Sequence, residues 1–387
     1  MMWDERLGAN QPLPRVTLVN LMSNAVLILL VVMATSSDMF CSCDGFNTHE
    51  VESGHDSLLF APESNCNTGR DGLCAHRSMD SGITREGSGT ASPDILALKI
   101  PELDQKHVHI KDPERVAKII KQMMDDAHHK LQVVADFDRT LSKYAHEGQV
   151  CSTTHGVLED SDHMPEEFKV KARKLKDTYL PIEFDGTKTI AEKIPHMIEW
   201  WTNGHALITN SHLTRDLLRT IVRDSSSHLR DGCTWFFEQL HKHEIPLLIF
   251  SAGLGDIITE VVSHQAVLYD NMKIVSNFLD FDETGKVVGF VGNMIHVYNK
   301  NEHAVHSSDY FENIKHRENL MLLGDSLGDL RMAEGAEDVV CLLKVGFLNF
   351  KVEENLEQYK ESYDIVIVQD QSMAVVNSLM TKILGQS

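Results

Sequence analysis

Between Leu131 and Val368, short runs of apolar residues alternate with longer stretches whose apolar side chains recur every third or fourth position. The runs are Leu131–Ala135, Pro246–Phe250, Lys273–Val275, Asn319–Leu323, Val339–Leu343 and Ile365–Val368. Buried strands separated by helices predict an α/β domain with a mainly parallel sheet. Asp112-Pro113 opens a helix through His129, with Val116, Ile119, Ile120 and Met123 on one stripe, and the domain begins near Ile95. Between the first two runs, roughly a hundred residues give no strong strand signal by periodicity. They read as helices instead. One starts at Pro165 and runs to about Tyr179; a second follows a capping box of Thr189 and Glu192 and runs through Trp201; a third spans about Leu213 to Asp224. The expected organisation is an α/β core from residues 95–145 and 232–387, with a helical cap, 146–231, inserted over the sheet.

The N-terminal residues 1–94 differ in kind. Residues 16–34 are mostly apolar and just long enough to span a bilayer, although Asn20, Ser23 and Asn24 interrupt them. The segment reads as a signal, an anchor or neither. Arg6 and Arg15 precede it and only acids follow before Arg70, so the charge rule would send the remainder across a membrane. Absence of any N-x-S/T sequon points the other way, towards the cytosol. Residues from Thr35 to about Pro93 are too polar to bury a core and read as a disordered linker. A net charge of −21 argues against a nucleic-acid polymer or an anionic bilayer as partner, so a phosphate ligand needs local cations or a metal. Seven cysteines fall into a polar N-terminal group, Cys41, Cys43, Cys66 and Cys74, and three scattered singly, Cys151, Cys233 and Cys341. They form neither a disulfide framework nor a common zinc pattern.

Candidate chemistry starts where the first buried run meets Asp136-Phe137-Asp138-Arg139-Thr140. Ligands of open α/β sheets bind at the carboxyl ends of strands, which puts both acids at the mouth of a site. Asp136 can attack phosphorus while a protonated Asp138 donates its proton to the leaving oxygen, and the pair invites a divalent cation. An Asp-rich turn after a strand is the ordinary alternative. A second D-F-D-x-T phrase, Asp280–Thr284, is followed by Gly285 and an apolar alternation and reads as a hairpin turn. Three further pieces matter. Ser251, in Phe250-Ser251-Ala252-Gly253, can hold phosphate oxygens through its hydroxyl and nearby N–H groups. Asp325 and Asp329 follow another strand and suit a magnesium ligand and its support. Lys300 can neutralise a transferring phosphoryl group. Each has an ordinary reading alone: a strand end, a helix cap, a solvated lysine.

Taken in order, these four pieces resemble the motif set of the haloacid dehalogenase superfamily of aspartate-nucleophile phosphatases. The longer phrases DFDRTLS, PHMIEWW, IPLLIFSAGLGDI, VSNFLDFDETG, NLMLLGDSLGDLRMA and SYDIVIVQD are similar to the cytosolic 5′-nucleotidase III family, from about Ile95 to the C-terminus. The resemblance implies a Rossmann-like core and a magnesium-dependent, cytoplasmic, monomeric 5′-nucleotidase. Its substrates would be pyrimidine or 7-methylguanosine 5′-monophosphates, cleaved through an aspartyl-phosphate on Asp136. It implies Asp138 as acid and then base, and magnesium held by Asp136, the Asp138 carbonyl, Asp325 and waters, with Asp329 in support. Ser251, the Ala252 N–H and Lys300 would bind phosphate. Glu183 would read the base edge, and His155 and Trp201 would sandwich the ring; on helix packing alone Trp201 reads as a core residue of an amphipathic helix, with Trp200 beside it pointing elsewhere. Arg139 departs from the apolar residue usual in that family, which bears on local packing. Transfer of the phosphoryl group to another nucleoside, or an inactive nucleotide-binding module, are the rival readings.

Overall fold

The computed structural model describes residues 92–300, 314–334 and 338–386. The apolar segment 16–34, the expected linker up to residue 91 and the four N-terminal cysteines lie outside the described residues. Among the described residues, no helix is long and apolar enough to cross a membrane.

The described residues form ten strands: β1 (Val108–His109), β2 (Leu131–Ala135), β3 (Ala145–His146), β4 (Gln149–Val150), β5 (Leu247–Leu254), β6 (Met272–Phe281), β7 (Val287–Val291), β8 (Asn319–Gly324), β9 (Cys341–Leu348) and β10 (Ile365–Val368). Eight of them form one sheet in the order β1-β10-β9-β8-β2-β5-β6-β7, and β3 and β4 form a small separate hairpin. From β10 to β6 the neighbours run parallel, and β1 and β7 close the two edges antiparallel.

The apolar runs are continuous because the sheet is covered on both faces. Successive residues point to opposite sides. Val133, Ile249, Met321 and Leu323 enter one hydrophobic cluster, while Val134, Leu248, Phe250, Leu320 and Leu322 enter another. The first cluster also takes in Phe168, Ala172 and Ile208 from the helices between β2 and β5. Those helices are therefore packed on the sheet through one contiguous core.

Local signals fix the helices. Asp112 caps the helix Pro113–Asp126 by accepting from the Arg115 N–H at 3.0 Å. It stops before the expected His129, because Ala127 takes a left-handed backbone with φ 59°. The helix Glu166–Glu183 starts as expected after Pro165 but continues past Tyr179. The Thr189–Glu192 capping box is formed reciprocally and opens the helix Ile190–Thr209, longer than the expected span to Trp201. Thr214 caps Arg215–Asp224. A short helix Thr154–Glu159 and the β3–β4 hairpin precede these, and neither carries a strong periodic signal. β9 begins at Cys341 rather than Val339, since Val340 is 82 % exposed.

The chain leaves β2 for β5 on one side and later returns to β8 on the other. β2 is therefore the topological switch point, where a crevice opens beyond the carboxyl ends of the strands. The second D-F-D phrase is a hairpin as expected: β6 and β7 pair with Asp280 opposite Gly289. Asp282 closes the turn by accepting from the Thr284 N–H at 2.9 Å, the Thr284 hydroxyl at 2.6 Å and the Lys286 N–H at 3.0 Å. Asp282→Ala should lower the melting temperature by roughly 2–4 °C, since three turn bonds are lost. Thermal unfolding followed by circular dichroism checks this, and an unchanged melting temperature would mean that the turn bonds contribute nothing net.

Candidate active site

Asp136 is the first residue beyond β2, and its N–H donates to the Leu323 carbonyl at 3.0 Å, so the strand still holds it. Its carboxylate is ion-paired with Lys300, whose ammonium also donates to Asp329 Oδ1 at 2.9 Å. All three residues are buried. Burial raises Asp136 to about 7, with the Lys300 charge working against that rise. For Lys300 burial opposes the charge, but Asp136 and Asp329 outweigh it and keep the ammonium protonated. An isolated lysine in the sequence thus becomes the internal counter-ion of two carboxylates.

Asp138 is held by a residue that the sequence reading missed. The Thr154 N–H donates to Asp138 Oδ1 at 2.8 Å, and the Thr154 hydroxyl donates to Oδ2 at 2.7 Å. Because the same hydroxyl oxygen accepts from the Leu254 N–H at 3.2 Å, its proton is directed at Asp138. Burial raises the Asp138 pKa, and the two Thr154 bonds oppose the rise. The only clue in the sequence is a hydroxyl residue just before His155.

Ser251 does not end its strand, contrary to expectation. β5 continues to Leu254, with a register break between Phe250 and Leu254 that leaves Ser251, Ala252 and Gly253 bulged out of the pairing with β6. A Cβ on Gly253 would lie 2.1 Å from Thr154 Oγ1, so only glycine fits this approach. The Ala252 carbonyl accepts from Trp201 Nε1 at 3.0 Å and Asn277 Nδ2 at 2.9 Å. Ser251 Oγ accepts from the Gly253 N–H at 3.0 Å, which leaves its own proton free to donate.

Asp136, Asp325 and Asp329 bring one carboxylate oxygen each within 4.8 Å of one another. Asp329 is committed elsewhere: Oδ1 accepts from Lys300, and Oδ2 accepts from the Asp325 N–H, the Ser326 N–H and the Ser326 hydroxyl at 2.9–3.1 Å. Asp325 has no side-chain hydrogen bond among the described residues, and burial pushes its pKa well up. Its loop is pinned from behind, where Tyr359 donates to the Asp325 carbonyl at 2.6 Å and Tyr363 donates to that of Ser326. An all-oxygen donor set with one unengaged carboxylate fits a hard divalent cation such as magnesium.

These groups open on a cavity of about 680 Å³, which Glu183, His155, Trp201, Ser251, Ala252 and Arg139 also line. Every site residue expected from the sequence borders this one space. The Glu183 backbone is tied down by Lys193 and Tyr298, which donate to its carbonyl at 2.8 and 3.2 Å, while burial raises its carboxyl to about 7 against the pull of Arg139. Burial, aided by His205, lowers His155 to about 4, so the ring is neutral at physiological pH. The expected sandwich is not formed in this structure. His155 and Trp201 stand edge to face, with centroids 6.1 Å apart and planes at 80°. The indole is fixed by its bond to Ala252 and by Trp200, 5.2 Å away at 70°. Trp200 itself stacks on Tyr179 and borders the cavity, rather than pointing away from it.

Residues 139–384 match the model of the pyrimidine 5′-nucleotidase (UMPH-1) family. The chain is 42 % identical over 283 residues to 7-methylguanosine phosphate-specific 5′-nucleotidase A of Xenopus laevis, covering 73 % of this chain and 98 % of that protein. It is 42 % identical over 291 residues to the human 7-methylguanosine phosphate-specific 5′-nucleotidase, covering 75 % and 97 %. A solved structure of cytosolic 5′-nucleotidase IIIB bound to cytidine superposes with a TM-score of 0.70 at 37 % identity, over 74 % of this chain and 97 % of that one. With its acids, lysine and bulge gathered at the switch point of a mainly parallel sheet, this chain belongs to the pyrimidine 5′-nucleotidase family.

Proposed function

We propose that this 5′-nucleotidase hydrolyses pyrimidine and 7-methylguanosine 5′-monophosphates with magnesium, through an aspartyl-phosphate on Asp136. The observation that carries the reading is the pair Asp136 and Asp138 at the end of β2, one bound to buried Lys300 and the other to Thr154. Asp136 attacks the phosphorus and Asp138 gives its proton to the departing 5′ oxygen. Burial favours a protonated Asp138 at the start of that step. Once the nucleoside has left, Asp138 as a carboxylate takes a proton from water, which opens the acyl phosphate and restores Asp136. Lys300, the Ser251 hydroxyl and the Ala252 N–H stabilise the negative oxygens of the phosphoryl group. Asp136, the Asp138 carbonyl and Asp325 would hold magnesium, with Asp329 in support. When bound, the ion offsets charge on the transferring group.

The helices from 154 to 224 serve as the cap that carries the base pocket. The nucleobase rests on the Trp201 face with its polar edge towards Glu183, and His155 borders it by an edge. The relatives named for 7-methylguanosine phosphate and the cytidine-bound structure support both base classes. We infer a cytosolic location, as in the name of that solved relative.

A panel of nucleotides assayed for phosphate release, with magnesium and with a chelator, tests the function. Asp136→Asn should abolish turnover and covalent labelling by phosphate or its beryllium fluoride mimic; substantial remaining activity would exclude Asp136 as nucleophile.

Base recognition has two tests. Trp201→Ala should remove about 1–3 kcal/mol of stacking, a loss of about fivefold to a hundredfold in kcat/KM, greater for 7-methylguanosine monophosphate because a cationic ring gains more from indole. Equal losses for that nucleotide and cytidine monophosphate would reduce Trp201 to a packing role. Since Glu183 titrates near 7, it is mainly protonated below that pH and a carboxylate above it. The KM for cytidine monophosphate should therefore fall as pH rises from about 6 to 8, and Glu183→Gln should flatten the dependence. A profile unchanged by that substitution would remove Glu183 from base reading.

A further inference from the structure

One charged group in the cavity has no task in the mechanism above. Arg139 follows Asp138 directly and takes a left-handed backbone, φ 65°, which glycine or asparagine adopts more readily. The backbone is held there regardless of the side chain: its N–H donates to Ser142 Oγ at 2.9 Å, and its carbonyl accepts from Arg230 at 2.5 Å and Asn349 at 3.0 Å. Nothing in that turn requires a guanidinium.

The side chain reaches the cavity wall beside a stacked pair of aromatic rings. Tyr144 and Phe350 stack 5.7 Å apart and 11° from parallel, and the guanidinium carbon lies 5.4 and 5.3 Å from their centroids. The rings hold the fork in place while leaving its donors unused. Nε is enclosed and has no hydrogen-bond partner, and no side-chain bond or ion pair of Arg139 occurs among the described residues. Counter-charge is nonetheless present at longer range. The cation favours the ionised forms of Asp138 and Asp325 at the phosphate end and of Glu183 at the base end. Arg139 follows Asp138 at the phosphate end, and Phe350 beside its guanidinium meets Phe184, the neighbour of Glu183, edge to face at 5.6 Å, so the side chain lies between the two ends of the cavity. What it lacks is acceptor oxygens, and on a nucleotide the group between phosphate and base is the pentose.

We propose that Arg139 binds substrate by donating hydrogen bonds from its guanidinium to the pentose hydroxyl oxygens, and so makes the enzyme select ribose over sugars that lack them. The inference rests on the nucleotide-hydrolysis reading. A fork braced against the two rings suits a vicinal pair of hydroxyls, since its donors are coplanar and fixed in spacing.

The test compares cytidine 5′-monophosphate with its 2′,3′-dideoxy analogue, in wild type, Arg139→Met and Arg139→Lys, at saturating magnesium. Wild type should favour the ribonucleotide by about tenfold or more in kcat/KM, the factor given by one good hydrogen bond to a charged group. Arg139→Met should lose about that factor on the ribonucleotide, mainly in KM, and little on the dideoxy analogue, so that the preference collapses. Arg139→Lys, which keeps the charge and not the fork, should fall between them. Equal losses on both substrates, or a wild type indifferent to the hydroxyls, would overturn the assignment while leaving nucleotidase activity intact. Failure of wild type to hydrolyse either nucleotide would instead remove the reading on which it rests. Thermal unfolding of both variants separates a packing defect from lost recognition, and Arg139→Lys keeps the comparison decisive if the methionine variant does not fold.

Discussion

The ion pairing of Lys300 with Asp136 and Asp329 is the constraint around which the site is arranged. Three charges are buried at the ends of β2 and β8, where each alone would be strongly unfavourable. Removing one partner from such a group typically costs about 3–5 kcal/mol, because the others are left buried and unpaired. The lysine thereby ties three distant parts of the chain to one point. Asp329 passes the constraint on, since its second oxygen gathers the N–H groups of Asp325 and Ser326 and so sets the loop that presents Asp325.

Sheet topology supplies the place and a local irregularity supplies the shape. At the switch point the loops after β2 and β8 diverge, which opens room beside Asp136. A regular β5 would pair Ser251 to Gly253 with β6 and leave no donors for a phosphate. The bulge releases them, and its carbonyls are taken up by Trp201, Asn277 and Ser276. Through the Trp201 bond the same bulge also orients the indole, so Ser251 and Trp201 are positioned by one piece of backbone.

Much of this was legible in the sequence, for identifiable reasons. Buried strands leave continuous apolar runs, and a strand that stops at an acid marks the mouth of a site. Both held for β2 and β8. The capping box at Thr189 and the hairpin turn at Asp282 depend only on neighbours a few positions away, and both formed as read. What stayed hidden depends on distant partners. Thr154 meets Asp138 across sixteen positions of sequence, Tyr359 meets Asp325 across thirty-four, and neither pairing leaves a periodic trace. The crossed planes of His155 and Trp201 arise from indole contacts with Ala252 and Trp200. β1 was invisible because two residues on an edge strand carry no pattern.

Hydrogen-bond satisfaction then separates scaffold from working parts. Asp329 has both oxygens engaged, Thr154 donates and accepts, and the carbonyls of Ala252, Asp325 and Ser326 all receive a side-chain donor. Such groups already have partners and serve to fix geometry. The Asp325 carboxylate and the Arg139 guanidinium are left open although half-buried at the cavity wall, and Ser251 keeps an uncommitted proton. Polar groups enclosed without partners are unfavourable in a folded protein and persist where a ligand completes them. Under the proposed function each would take a different part of the nucleotide: metal and phosphate at Asp325 and Ser251, sugar at Arg139, base at Glu183. A fully satisfied site would be more stable and would have nothing to bind with.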